Sequence, residues 1–215
     1  MLIVRPPSLL TRALRSMTWD YYGNHQDVYL TFDDGPTPGV TPWVLDQLDE
    51  SEAQATFFCL GRNVDKHPDI YRQILARGHS TGNHSYSHLK GFRSSTKRYL
   101  EDIDLAGNLI DSRLFRPPYG RIIPAQVKAV LQRYEIIMWD VLSIDYNPGL
   151  SGDRVLQNVI KNVKPGSIIV FHDSDKACEN LFYALPRTLE FLSEKGYNMR
   201  SIPPNQQSGQ DYNIN

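Results

Sequence analysis

Cysteine is scarce in this 215-residue chain: Cys59 and Cys178 are its only two and form no Cys-x-x-Cys pair. Neither a disulfide framework nor a thiolate zinc site is encoded. Charge of one sign is lacking too, since 23 Lys+Arg stand against 24 Asp+Glu for a formal net charge of −1. Without a sustained basic run there is no electrostatic footprint for a phosphate backbone, so nucleic acid is not an expected partner. No apolar run approaches the ~20 residues that span a bilayer. The opening residues, Met1 to Val4 and then Arg5-Pro6-Pro7, lack the apolar stretch of a secretory signal. The expectation is a chain with no transmembrane segment and no signal peptide, cytoplasmic by sequence.

What is present suffices for a packed core: 40% of the residues are hydrophobic and 22% charged, which excludes disorder as the dominant state. β-Branched and aromatic runs predict strands at 28–32, 55–60, 79–82, 113–115, 135–139, 167–171 and 197–200. Helical spacing predicts a helix capped by Thr41, one over 64–77, one from Ser94-Ser95, one from Pro124, one over 155–163 and one over 181–196 with Pro186 kinking it. Strand and helix alternate, which implies a parallel sheet, open or closed as an irregular barrel. Asp33, Asp34, His84, His88, Arg116, Tyr119, Asp140 and His172 each follow a predicted strand, which gathers them at the C-terminal edge where α/β folds build their sites.

His84-Ser-Tyr-Ser-His88 sets two imidazoles four residues apart, a spacing that on a helical turn lets both bind one divalent metal; two satisfied loop histidines are the plain alternative. With one Asp they would form a facial triad that leaves coordination positions open. The second Asp is then free to act as a base on water whose pKa a metal lowers toward ~7. His172, at the end of the sixth predicted strand, is placed to be a general acid or to bond to Asp173. Gly78-His-Ser-Thr-Gly82 satisfies the Gly-x-Ser-x-Gly nucleophile elbow, with Ser80, Asp140 and His172 in hydrolase order, but Ser80 falls within a predicted strand after a helix rather than between a strand and a helix. An iron oxygenase would share the triad, and a non-catalytic glycan-binding protein could share the scaffold.

Five segments in order, Thr31-Phe-Asp-Asp-Gly-Pro36, His84-Ser-x-x-His88, Arg116-Pro-Pro-Tyr-Gly120, Trp139-Asp140 to Asp145, and Val170-Phe-His172, resemble the motifs of the polysaccharide deacetylase family, the NodB-homology carbohydrate esterases of family 4. The resemblance covers roughly residues 27–200, leaving 1–26 as an N-terminal arm and 201–215 as a polar C-terminal tail. It implies a distorted (β/α)7 barrel of parallel strands. It implies Asp33 as catalytic base, Asp34, His84 and His88 as ligands of a divalent metal (Zn2+ foremost, Co2+ or Ni2+ as alternatives), and Arg116 as the group holding the base. Tyr119 would offer its backbone N–H to the oxyanion, and His172 would be the acid. The implied substrate is a carbohydrate, with N-acetyl groups removed from peptidoglycan-type or chito-oligosaccharide sugars; acetylated xylan or a small amide presents a similar acyl group. Tyr119, Trp139, Tyr146 and Val170 are the candidate substrate contacts, although Trp139 equally suits the core. Two departures stand out: Leu142 replaces the first Asp of the fourth motif, Asp-x-x-Asp-Trp, and Tyr146 replaces its Trp. Asp140 then either stands in as the partner of His172 or only caps its strand.

Overall fold

The computed structural model describes residues 4–21, 23 and 26–203, so His25 and residues 204–215 of the tail lie outside it. Its strands are β1 Asp27–Asp33, β2 Thr56–Cys59, β3 Ser80–Asn83, β4 Leu114–Phe115, β5 Glu135–Ile136, β6 Val141–Leu142, β7 Ile168–His172 and β8 Asn198–Arg200. Its helices are α1 Ser8–Ala13, α2 Val40–Glu50, α3 Gly61–Lys66, α4 Pro68–Ala76, α5 Thr96–Gly107, α6 Pro124–Val130, α7 Gly152–Ile160 and α8 Cys178–Glu194.

β1 is the centre because Val28 to Asp33 is buried throughout, the near-continuous pattern of a parallel strand covered on both faces. The sheet runs β5-β4-β3-β2-β1-β7-β6, with β8 added beside the start of β1, and every strand pair among the described residues is parallel. The helices lay their apolar stripes on it: Val44, Leu45 and Leu48 of α2, Val155 and Val159 of α7, and Leu181, Leu185, Leu189 and Leu192 of α8 are all buried. Phe32 stacks between Phe57 and Phe171, with ring centroids 5.0 and 6.1 Å away.

The sheet curls until β5 and β6 face one another across a seam, and the N-terminal segment fills it. Thr18 N–H donates to Ile136 O at 2.9 Å, Met138 N–H to Thr18 O at 2.7 Å, and Tyr21 N–H to Gly166 O at 2.8 Å. Met17 and Trp19 bury their side chains there. The distorted parallel barrel expected from the motifs is therefore the architecture, with one difference: among the described residues the sheet has eight strands, not seven.

That extra strand corrects a placement. The fifth strand does not reach Trp139; it stops at Ile136, and Asp140 immediately precedes β6 instead of following β5. Asp140 therefore lies at the N-terminal edge of the sheet, accepting from Ile168 N–H and Ser167 Oγ, each at 3.0 Å. It belongs neither to the cluster at the C-terminal edge nor to His172. Ser80 opens β3, paired with Thr56 at that same far edge, so no nucleophile elbow forms.

Three helix limits also differ. Gly39, not Thr41, precedes α2; Thr41 Oγ1 accepts from Thr37 N–H at 2.7 Å and donates to Asp173 at 2.6 Å. The expected helix over 64–77 is two, α3 and α4, interrupted at His67 because the residue before Pro68 is driven out of the helical region. Pro186 lies inside α8 without ending it. No helix among the described residues is long and apolar enough to cross a membrane.

Candidate active site

Parallel register puts the ends of β1, β3, β4 and β7 side by side, so the loops leaving them converge on one cleft. It has a volume of about 570 Å3, with Asp33, Asp34, His84, His88 and His172 at its floor and Tyr119, Trp139, Leu142, Tyr146 and Val170 among its walls.

Arg116 organises the floor. Its side chain is 0% exposed, and all of it is spent on structure: Nε donates to Ile137 O at 3.2 Å, Nη2 to Met138 O at 3.0 Å, and Nη1 to both Thr31 Oγ1 and Asp33 Oδ1 at 2.7 Å. The guanidinium lies 4.0 Å from the centre of the Phe58 ring. Burial lowers its pKa, and the Asp33 carboxylate opposes that shift. One oxygen of Asp33 is thus fixed by a buried ion pair, while Oδ2 faces His84 Nε2 at 4.0 Å.

Beside it, Asp34, His84 and His88 each present one ligand atom, all within 4.8 Å of one another. Asp34 Oδ1 lies 3.7 Å from His84 Nε2 and 3.3 Å from His88 Nε2, yet it is buried with no hydrogen-bond donor. His84 Nδ1–H donates to Arg116 O at 2.7 Å, which fixes the tautomer and leaves Nε2 as the free nitrogen. Burial pushes the His84 pKa down to about 3, reinforced by His88; burial also lowers His88, against the pull of Asp34. Two neutral imidazoles and an orphaned carboxylate oxygen suit a divalent cation and little else. The two histidines do not sit on a helical turn, however. They lie on an irregular loop in which Ser85 and His88 take φ values of 65° and 59°.

Across the cleft, Asp145 grips His172 with both oxygens, accepting from Nδ1–H and from the backbone N–H at 2.7 Å each. Burial disfavours the imidazolium, but the Asp145 charge and hydrogen bond outweigh it and raise the His172 pKa to about 9. Asp173 turns away, accepting from Gly35 N–H at 3.0 Å and from Thr41. Any side chain at Gly35 would meet it, since a Cβ there would sit 1.9 Å from Asp173 Oδ2. Tyr119 is half exposed on a tight turn with φ 61° and ψ 9°, its ring 4.4 Å from that of His88. Tyr146 meets His172 edge-on at 4.9 Å.

A family model described as polysaccharide deacetylase matches residues 21–139. The chain belongs to the polysaccharide deacetylase family. A peptidoglycan-N-acetylglucosamine deacetylase of Bacillus cereus is 35% identical over 188 residues, covering 84% of this chain and 68% of that one. A chitooligosaccharide deacetylase of Sinorhizobium fredii is 34% identical over 200 residues, with 83% and 91% covered. The crystal structure of a peptidoglycan N-acetylglucosamine deacetylase superposes with a TM-score of 0.82 at 31% identity, covering 92% of this chain and 95% of that one. This deacetylase is thus a hydrolase of carbohydrate substrates.

Of the residues singled out in the sequence, Asp33, Asp34, His84, His88, Tyr119, Trp139, Tyr146, Val170 and His172 line the deacetylase cleft, and Arg116 lies beneath it. Asp140 and Ser80 are elsewhere, at the opposite edge of the sheet. The residue that sequence reasoning missed is Asp145: with Asp140 at the far edge, it is the acid of the fourth motif that meets His172. Its signal was in view, an Asp two residues after a polar Ser143 and next to an aromatic, but without β6 nothing aimed it.

Proposed function

We propose that the protein is a metal-dependent N-deacetylase of N-acetylglucosamine-type sugars. The observation that carries this reading is the orphaned Asp34 Oδ1 between two neutral histidines, flanked by a fixed carboxylate on one side and a charged imidazole on the other. Asp34, His84 and His88 would hold a divalent ion, Zn2+ by the mixed imidazole and carboxylate set, with Co2+ and Ni2+ as alternatives. When bound it supplies Lewis-acid activation of water and of the acyl carbonyl.

Asp33 accepts the proton of the attacking water on Oδ2, because Arg116 already occupies Oδ1 and locks the rotamer. The Tyr119 backbone N–H donates to the oxygen that gains charge as water adds to the amide carbon. His172, held through Nδ1 by Asp145, delivers a proton from Nε2 to the leaving nitrogen. The C–N bond breaks, the water oxygen leaves in acetate, and the sugar keeps a free amine. Trp139, Leu142 and Val170 form an apolar wall for the acetyl methyl.

The test is acetate release from N-acetylglucosamine oligomers and peptidoglycan fragments by metal-stripped protein, with and without Zn2+. Acetate that returns with Zn2+ and is lost in His84→Ala is the expected result. Full activity in the stripped protein, or in Asp33→Asn, would overturn the mechanism.

A further inference from the structure

The floor of the cleft is acidic, but its rim is not. Lys90, Arg121 and Lys176 line the mouth and are exposed, and the only acids among the lining residues are Asp33 and Asp34 below. Each of the three cations stands over an aromatic ring: Lys90 over Tyr119 at 5.1 Å, Arg121 over Phe92 at 5.3 Å, and Lys176 over Tyr146 at 5.5 Å. Among the described residues none of them takes part in an ion pair. On a chain whose net charge is −1, three unpaired cations around one opening are a local concentration of positive potential.

Their placement is two-sided. Tyr119 adjoins His88 on the metal-ligand flank, and Tyr146 adjoins His172 on the acid flank, so Lys90 and Lys176 stand on opposite flanks of the reacting position. The aromatic faces suit the apolar faces of sugars, neutral or charged. A neutral oligomer would leave the ammonium and guanidinium groups without a partner. A glycan bearing a carboxylate beside the reacting residue would complement them.

We propose that Lys90, Arg121 and Lys176 form a carboxylate-recognising rim, and that the enzyme selects glycans whose sugar next to the reacting N-acetyl residue carries a carboxylate over neutral oligomers of equal length. This rests on the deacetylase reading above. It distinguishes between the two substrate types that relatives' names carry, since peptidoglycan strands freed of their stem peptides bear a lactyl carboxylate on alternate sugars and chitooligosaccharides bear none.

The experiment compares three tetramers on the Zn-loaded full chain: alternating N-acetylglucosamine and N-acetylmuramic acid, the same tetramer with its carboxylates converted to amides, and N-acetylglucosamine alone. At low salt the carboxylate form is expected to exceed its amide twin about tenfold in kcat/KM, the combined worth of several exposed charge pairs. That advantage should shrink toward unity by about 0.5 M NaCl, as screening shortens to a few Å. It should vanish in the Lys90→Gln/Arg121→Gln/Lys176→Gln variant and persist in Lys195→Gln, which removes a lysine at the end of α8. Equal turnover of the acid and amide forms by the native protein, or an undiminished advantage in the triple variant, would overturn the proposal. If no tetramer releases acetate, the deacetylase reading fails by itself. Calorimetric affinities for the same three tetramers then judge the rim: tighter, salt-sensitive binding of the carboxylate form supports it, and equal binding sinks it.

Discussion

His84 and His172 are buried imidazoles whose neighbours drive them in opposite directions, and their protons can be followed separately. The His172 pKa stands near 9 because Asp145 outweighs burial, so the acid is charged at neutral pH and loses its proton as pH rises through about 9. The expected kcat/KM profile therefore falls on that alkaline side. Asp145→Asn removes the main charge that holds the proton and leaves burial opposed only by Asp34 and Asp33, so the limb should move down toward the ordinary 6.5. An unmoved limb would assign it to another group. For His84 the folded pKa, about 3, lies below the unfolded 6.5, so between these values the unfolded chain binds more protons. The stability that His84 contributes is complete above 6.5 and is lost as pH falls toward 3. His172 and Asp173, with pKa values raised to about 9 and about 8, act in the opposite sense, so the His84 effect is read as a difference: the Tm of the metal-free native protein relative to His84→Gln should fall from pH 7.5 to pH 5, and Zn2+ should raise the native Tm most at the upper end, where protons compete least for the His84 and His88 nitrogens. These residues were legible one by one, since Asp, His and Arg announce themselves by type and order. Their protonation was not, because it follows from burial and from partners such as Asp145 that lie far away in the chain.

Among the elements, one of three two-residue strands, β6, has the largest consequence. Val141–Leu142 is two residues long, and two residues cannot show a period of two, so hydrophobic patterning runs it into the preceding segment. Once it is a strand of its own, Asp140 and Asp145 lie at opposite edges of the sheet, one before β6 and one after it. They should therefore fail differently. Asp140→Ala orphans the Ile168 N–H and the Ser167 hydroxyl and should cost about 1–3 kcal/mol of stability. It should leave the alkaline limb of kcat/KM in place, whereas Asp145→Asn moves it; urea unfolding and a pH profile on the two variants separate the roles. The long elements behave otherwise. α8 and β1 carry so many buried apolar positions that their spacing shows directly, whereas at the start of α2 Thr41 is tied to Asp173, a contact beyond the helix.

At the scale of the whole molecule, the curled sheet is completed by a segment that the strand pattern did not claim. Thr18 and Asp20 bridge the seam between the end of β5 and the start of β7, and Trp19 is buried there with its indole N–H donating to Leu14 O at 3.2 Å. Trp19→Ala should cost about 3–5 kcal/mol, lowering Tm by roughly 10 °C in a domain of this size. Because the seam supplies none of Asp34, His84 and His88, Zn2+ affinity measured on the folded variant should change less than twofold. A Tm within 2 °C of the native value would show that the segment only rests on the barrel. The sequence by itself determined the alternation of strand and helix, the parallel sheet, and the gathering of acids, imidazoles and Arg116 behind strand ends, because periodicity and residue type are local properties of the chain. Tertiary structure alone decided which acid meets His172, that His84 and His88 ride a loop rather than a helix, and how the barrel closes. Those outcomes depend on register and on burial between residues distant in sequence, and no local pattern records either.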